Sequence, residues 1–523
     1  MSFKDIVTNR KTALRIVLIV IGAAALAGAL LCKIIGDLTG WRTTLNYTDE
    51  QILDLPYFEL LVPADENRNV PCDIVSYSLG DGFIHLVLPQ DVNEKRVTVY
   101  IRDQEGNCLA RRVYDLSREV MIGEWKVLLE HHVLPTVYYE SDDPDVYSAM
   151  ISSETKDTIC EGKVYIEPGK EDEFRIGWLP ASIRGRGASS WEACKSKKSY
   201  SLRLDRAVNL LGLGSNRSWN LIGNAFDVSL IRNVTFNRIS QEAGIEFQPH
   251  MLNVNLYVDG KYQGVYTITT KLTVDKKRVA LHNGDLFYRK QPDEPVQAIP
   301  YESSTWENAG ADEPVAELIF PENATEGELL RAQEVFQRFI SSVEDPTFAD
   351  LADVCDIKSL AEYYWIQEAS MNIDAWERGV YMFYRESDGK MHMGPVWDMD
   401  LTLGSPVPKL GVEFDTPEGW KIRDGGWYPL LFENKDFASA VREVYYNGGV
   451  RQALQDGILE FEEERKALGS DGYMNYLLYG HANEWEAVFD HGDTYDRYCD
   501  NMIDFYRARV DWIDAEMERS NEE

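Results

Sequence analysis

Positive charge is what this sequence most plainly lacks. Against 87 Asp and Glu stand 53 Lys and Arg, giving a formal net charge of −34. So acidic a chain excludes broad nucleic-acid binding through a general basic face, and it is repelled by anionic lipid except at a local basic segment. Cys-x-x-Cys pairs are also missing, so no zinc cage is indicated. Six of the seven cysteines lie beyond the N-terminal apolar run, widely spaced: Cys72, Cys108, Cys160, Cys194, Cys355 and Cys499. That number allows up to three disulfides outside a reducing compartment and fixes none. Internal repeats and low-complexity tracts are absent. With 523 residues and 44% hydrophobic content, two or three domains with an ample core are expected.

One long apolar run is present. Residues 16–32 are unbroken, Ile34 and Ile35 extend the run past Lys33, and Lys4, Arg10, Lys11 and Arg15 precede it. A snorkelling Lys33 brings the run to the ~20 residues of a membrane span. We therefore expect a cytoplasmic N-terminus at 1–15 and a transmembrane anchor at 16–36. By the positive-inside rule the main domains then lie outside the cell membrane. The rival is a cleaved signal peptide with Ala27-Gly28-Ala29 as processing site; the apolar run continues past it, which favours the anchor.

A linker is expected at 37–65 and a small Ig-like β-sandwich at 66–130, from alternating runs at 83–88, 96–102 and 108–114. The character changes near Leu134. Strands are read at 136–140, 163–166, from 181 and at 200–204, then a helix over 227–243 with Gly244 as its cap. Two apolar runs around Asp259-Gly260 read as a hairpin. Residues 296–321 read as an acidic, loop-rich insertion. Helices follow at 325–343 and 357–371, a β-pair at 380–384 and 391–393, and a helical remainder over 430–517. The class is α+β, with a sheet-rich lobe to about 295 and a helical lobe after it, within 131–523.

The chemistry concentrates in a few places. In Gly-Pro-Val-Trp-Asp-Met-Asp-Leu-Thr-Leu-Gly, residues 394–404, Asp398 and Asp400 flank Met399. In a strand they point to one side, and two carboxylates there repel unless a cation lies between them. Hard oxygen ligands suit Mg²⁺ or Mn²⁺. The plain alternative is a solvated acidic turn, but Val396, Trp397, Leu401 and Leu403 place the acids at the mouth of a core. Arg184-Gly185-Arg186-Gly187-Ala188-Ser189-Ser190-Trp191 is a turn whose glycines admit backbone N–H groups to a phosphate and whose arginines add charge; the alternative is a tight hairpin with exposed arginines. Lys195, Lys197, Lys198 and Arg203 follow at once, a basic cluster that points to an anion. Asp374, after the 357–371 helix, is placed to accept a hydroxyl proton or is an ordinary helix-end acid. Arg232 and Asn233 pair with an acid or phosphate, or with each other on the surface. Lys271 ends the hairpin's second strand.

Taken in order, these motifs resemble the spore-coat CotH family: Arg-Gly-Arg-Gly-x-Ser-Ser-Trp, Lys-Lys-x-Tyr-x-Leu-Arg-Leu, Leu211-Gly-Leu-Gly, Trp219-Asn-Leu-Ile, Asp227-Val-Ser-Leu-Ile-Arg-Asn, Gly260-Lys-Tyr-Gln-Gly-Val-Tyr, Asn372-Ile-Asp and Pro395-Val-Trp-Asp-Met-Asp-Leu-Thr-Leu-Gly. The resemblance runs from about Leu134 to at least Gly404. It implies a degenerate protein-kinase-like two-lobed fold that phosphorylates secreted or spore-coat proteins from ATP with Mg²⁺ or Mn²⁺. It places Arg184, Gly185, Arg186, Gly187, Ser189, Lys198, Arg203 and Lys271 around the nucleotide phosphates. Asp374 becomes the acid/base, Asp398 the metal ligand and Asp400 its support. The partners it implies are a nucleotide and a secreted or surface protein. Three positions depart from the family: Ala188, where it has Asn; Thr270, where it has Glu; and Val380, where it has Asn. A weakened enzyme or a surface scaffold is therefore the competing expectation, and transfer of another group, such as a nucleotidyl group, is a third.

Overall fold

The computed structural model describes the strands between residues 57 and 131 by their backbone, and most of residues 132–522; short segments such as 188–190, 192–196, 306–313, 405–415 and 480–494 are outside the description. The anchor expected at 16–36 lies outside the described residues. Among those described, no helix is long and apolar enough to cross a membrane.

The chain divides into two compact units, one running to His132 and the other from Val133 onward, with the 260–262 turn grouping with the first. The described residues of the first unit form strands: β1 (Tyr57–Asp65), β2 (Arg68–Ser78), β3 (Phe83–Leu88), β4 (Arg96–Arg102), β5 (Cys108–Asp115), β6 (Val120–Ile122) and β7 (Trp125–His131). Hydrogen bonding runs through all seven in the order β5-β4-β1-β2-β3-β7-β6. β1 falls inside the segment expected as linker, so the sheet starts earlier than the turn residues suggested.

The second unit opens with β8 (Thr136–Ser141), α1 (Pro144–Ser152), β9 (Ile159–Glu167), β10 (Ile176–Arg186), β11 (Ser199–Asn209), β12 (Ser215–Ile222), α2 (Arg232–Glu242), β13 (Met251–Val258) and β14 (Lys261–Thr270). Its strands close into a barrel, β10-β11-β12-β14-β13-β8-β9. Side-chain alternation explains closure. Along β10, Ala181, Ile183 and Gly185 face inward while Ser182, Arg184 and Arg186 face out; along β11, Tyr200, Leu202 and Leu204 are inside and Ser201 and Arg203 outside. The inner faces share one core with Val137, Val164, Leu256 and Ile268. The expected hairpin turn is there, Asp259 and Gly260 both having positive φ (49° and 76°), the signature of a type I′ turn.

A second sheet follows, built from β15 (Leu286–Lys290), β16 (Ala298–Pro300), β17 (Val315–Phe320), β18 (Tyr381–Arg385) and β19 (Lys390–Met393), ordered β16-β17-β15-β18-β19. β16 and β17 lie in the stretch expected to be a loop-rich insertion, which is thus corrected: they are short, and the pairing of β17 with β15 and of β16 with β17 decides what local propensity left open. The helices are α3 (Glu326–Val343), α4 (Leu351–Val354), α5 (Ile357–Ser370), α6 (Tyr428–Glu433), α7 (Lys435–Tyr446), α8 (Val450–Tyr479) and α9 (Tyr495–Glu522). In α3 the Thr325 side chain accepts from the Glu328 N–H and Glu328 reaches back, a capping box. Every residue of α5 from Leu360 to Ser370 is buried, so this helix is the centre of the helical part.

The helix expected from 227 begins at Arg232 instead. Asp227 explains the delay. Its carboxylate accepts from the N–H of Ser229 and of Arg232 (both 3.0 Å) and from the Arg232 guanidinium (2.5 Å), holding 227–231 as a turn that caps α2. Gly244 follows the helix with φ 98°, the left-handed residue expected there.

Candidate functional site

One polar row crosses the outer face of the barrel. Arg184 is in register with Ser201, Ser201 with Asn220, and Asn220 with Thr269. Arg203 pairs with Ser182 on the same face, one step along. Residues on this face are free of the apolar core because the pleat turns their neighbours inward. Arg186 ends the β10 row, its guanidinium carbon 5.9 Å from the centre of the Trp397 ring. Partial burial lowers the Arg186 pKa, and the charges of Asp398, Tyr381 and Asp400 oppose that. Lys271, at the end of β14, also has its pKa lowered, by loss of hydration and then by the charge of Arg184, with Arg186 adding to it. Arg184, Arg186 and Lys271 therefore form one cationic group that repels itself and is eased by an anion.

The acidic segment is not a strand. Residues 394–403 have no regular structure, and Asp398 has φ 65°, in the left-handed region that Asp tolerates better than most residues. The alternation argument for the two acids is thus corrected; a turn, held from several sides, brings them together. The N–H of Met399 donates to Asn233 Oδ1 at 2.9 Å, and Leu403 N–H donates to the Ser370 carbonyl at 2.8 Å. Asn372 Nδ2 lies 3.7 Å from Met399 Sδ, while Asn372 Oδ1 accepts from the N–H of Asp374 at 3.0 Å. One amide thus ties the Asp374 turn to the acidic segment.

The electrostatics follow. Asp398 has a side open to solvent, whereas Asp400 is buried. Burial pushes the Asp400 carboxyl well up, and the negative charges of Asp398, Asp227 and Asp374 push it further. Asp398 is raised by its surroundings as well, with Arg186 and a hydrogen bond from Asp400 pulling it down. We weight Asp400 more heavily, because solvent screens the open side of Asp398. Asp374 is half-buried. Four carboxylates thus influence one another beside three cations.

A divalent ion fits the donor chemistry: two hard carboxylates, both raised by burial and Asp400 further by the charge of Asp398, are what such a charge relieves. Among the described residues, no three His, Cys, Asp or Glu side chains converge as a metal cage. Asp398 and Asp400 would hold the ion together with oxygens of a bound phosphate, as Mg²⁺ is commonly held.

Other expected contacts fall elsewhere. The Lys198 ammonium is buried; it donates to the Trp191 carbonyl and lies 4.7 Å from that ring's centre. Lys197 donates to the Val265 carbonyl (2.7 Å) and to Asn475 Oδ1 (2.6 Å). Gly185 faces inward, and a Cβ there would lie 2.7 Å from the Trp191 ring; packing, not phosphate approach, asks for this glycine. Gly187 has φ 87° and serves the turn. Ala188 and Ser189 lie outside the described residues. Arg203 is exposed on the outer face. Thr270 is buried at the strand end and Val380 lies in the main core. Arg232 pairs with an acid, one of the partners expected for it, and is fully buried against Asp227 and not on the surface. Asn233 and Asn372 hold the acidic segment, a placement that sequence reasoning undervalued. Their only signal was membership of motifs.

Carboxylates and arginine meet at this site, with Asp398 and Asp400 acting on Arg186. The sequence model of a family described as CotH kinase protein matches residues 183–513, more than half of the chain. The chain belongs to the CotH kinase family. No curated protein matches it.

Proposed function

We propose that the chain is an envelope-anchored atypical protein kinase of a degenerate kinase-like, two-lobed fold, moving the γ-phosphoryl group of Mg- or Mn-ATP to a Ser or Thr hydroxyl of a secreted or surface protein. The observation that carries this is Arg186, on which Asp398 and Asp400 act and which acts with Arg184 on Lys271, while Asp374 is close enough to raise Asp400. The cations hold phosphate oxygens, and Asp374 takes the proton from the acceptor hydroxyl. The acceptor oxygen–phosphorus bond forms as the bridging bond to the β-phosphate breaks, and ADP leaves. A bound divalent ion would neutralise phosphate charge at Asp398 and Asp400. Asn233 and Asn372 position these acids.

A surface scaffold is the second reading. It is favoured by Arg186, already set against Asp398, and by Lys198, whose ammonium is committed to Trp191. Labelling with γ-labelled ATP and Mg²⁺ or Mn²⁺ separates the two. Asp398→Asn preserves a residue that accepts left-handed backbone, and it should lower labelling about 10²–10³-fold. Equal labelling by wild type and variant would sink the kinase reading. Transfer of an α-label would show nucleotidyl transfer instead.

A further inference from the structure

Beside Lys271, and apart from the acidic segment, a cavity of about 260 Å³ opens between the end of α2 and the 270–279 loop. Its charged lining is of one sign. Lys271, Lys277 and Arg278 contribute to it, with His250, Gln241 and Gln248, and no Asp or Glu lines it. In a chain of net charge −34 such a lining calls for a reason.

The loop that carries these cations is built. Arg278 pairs with Asp275 at 2.5 Å and donates to the Lys271 carbonyl at 3.0 Å; Lys277 N–H donates to Asp275 Oδ1 at 2.7 Å. Arg278 is thereby offset by Asp275, and Lys271 feels Arg184 and Arg186 against Glu322 and Glu317, none of which lines the cavity. Lys277 is exposed, as is Lys271. The wall is tied to the acidic segment: in the amide orientation that satisfies both groups, Gln248 accepts from the Val396 N–H at 2.8 Å and donates to the Val396 carbonyl at 3.2 Å. The cavity is smaller than the ~300–1,000 Å³ typical of whole small-molecule ligands, so it suits a single side chain better than a nucleotide.

We propose that this cavity receives an anionic side chain of the acceptor peptide, a carboxylate or a phosphoserine near the hydroxyl to be phosphorylated. The kinase is then directed to acidic or already phosphorylated sequences. The proposal rests on the phosphoryl-transfer reading, and a binding measurement tests it without turnover.

Three fluorescein-labelled peptides, alike except for Glu, phosphoserine or Gln beside a central Ser, are titrated with the full chain and followed by anisotropy. The Glu and phosphoserine peptides should bind about tenfold tighter than the Gln peptide, and exposed Lys277→Glu should remove that margin. The two anionic peptides separate the sources: a preference for phosphoserine alone makes the site a reader of prior phosphorylation, and a shared preference makes it a general acid reader. Saturating ADP, which on the phosphoryl-transfer reading engages Lys271 but neither Lys277 nor Arg278, should leave the preference for the anionic peptides in place. Equal binding of all three peptides, or loss of that preference with ADP, overturns the proposal. Acid-dependent binding without any labelling would sink the kinase reading alone, and labelling without acid-dependent binding would sink the pocket alone.

Discussion

At the scale of single residues, Asp400 is the most telling group. Its carboxyl is raised well above its ordinary 3.8 by burial and then by Asp398, Asp227 and Asp374. The folded form therefore holds the proton more tightly than the unfolded chain does. The stability this contributes is full below 3.8 and is lost as pH rises through the raised value. Without divalent ions, wild-type thermal stability should fall across that window, and Asp400→Asn should flatten the fall. Mg²⁺ or Mn²⁺ should restore wild-type stability at the upper end and leave the variant unmoved. Melting curves at several pH values, with and without metal, check this; a wild-type profile without slope would show that the pair is not strained by its own charge. This residue was marked by its Asp-x-Asp spacing. What sequence could not supply was the left-handed turn, because it is fixed by Asn233, 166 residues away along the chain. The Trp191 carbonyl that Lys198 turns to was hidden for a related reason: sequence gives a charge but not its partner.

Among elements, α5 and α9 hold the ground beyond the acidic segment. Glu368 of α5 accepts from the N–H groups of Lys421 (2.8 Å), Ile422 (3.1 Å) and Arg423 (2.8 Å), and pairs with Arg509 of α9. Arg509 also donates to the carbonyls of Pro417 (2.9 Å) and Gly419 (2.6 Å). Both side chains are wholly buried. Removing one partner leaves an uncompensated charge, so Glu368→Ala should cost about 3–5 kcal/mol in denaturant unfolding. Glu368→Gln retains one carbonyl acceptor and should cost less; equal losses would show that the charge opposite Arg509, not the three N–H contacts, dominates. Neither residue stands out by local sequence, since a buried ion pair and a solvated one are spelled the same way. Strands with strict alternation, such as β10 and β11, were legible, whereas β16 and β17 were not, because three to six residues carry little period of their own.

For the whole molecule, cysteine usage gives a test. Cys160, Cys355 and Cys499 are buried free thiols, so three disulfides among the six cysteines do not form. Burial raises the pKa of each, Cys499 to about 12, which suppresses the reactive thiolate. Iodoacetamide should leave these three unmodified in the native protein and modify all three in guanidinium, by peptide mass. Modification of Cys355 in the native state would show that the core opens locally. The α+β class and the order of its parts were legible from periodicity and motif order; the closed barrel was not, because closure depends on β13 pairing in parallel with β8, far apart in sequence. That closure has a consequence for recognition. A ring of strands has no unpaired edge, so no incoming polypeptide can be captured on the barrel by extending its sheet. Whatever the barrel contacts must be read through side chains and turns, one residue at a time, and the barrel offers no seam along which copies of itself could zip together.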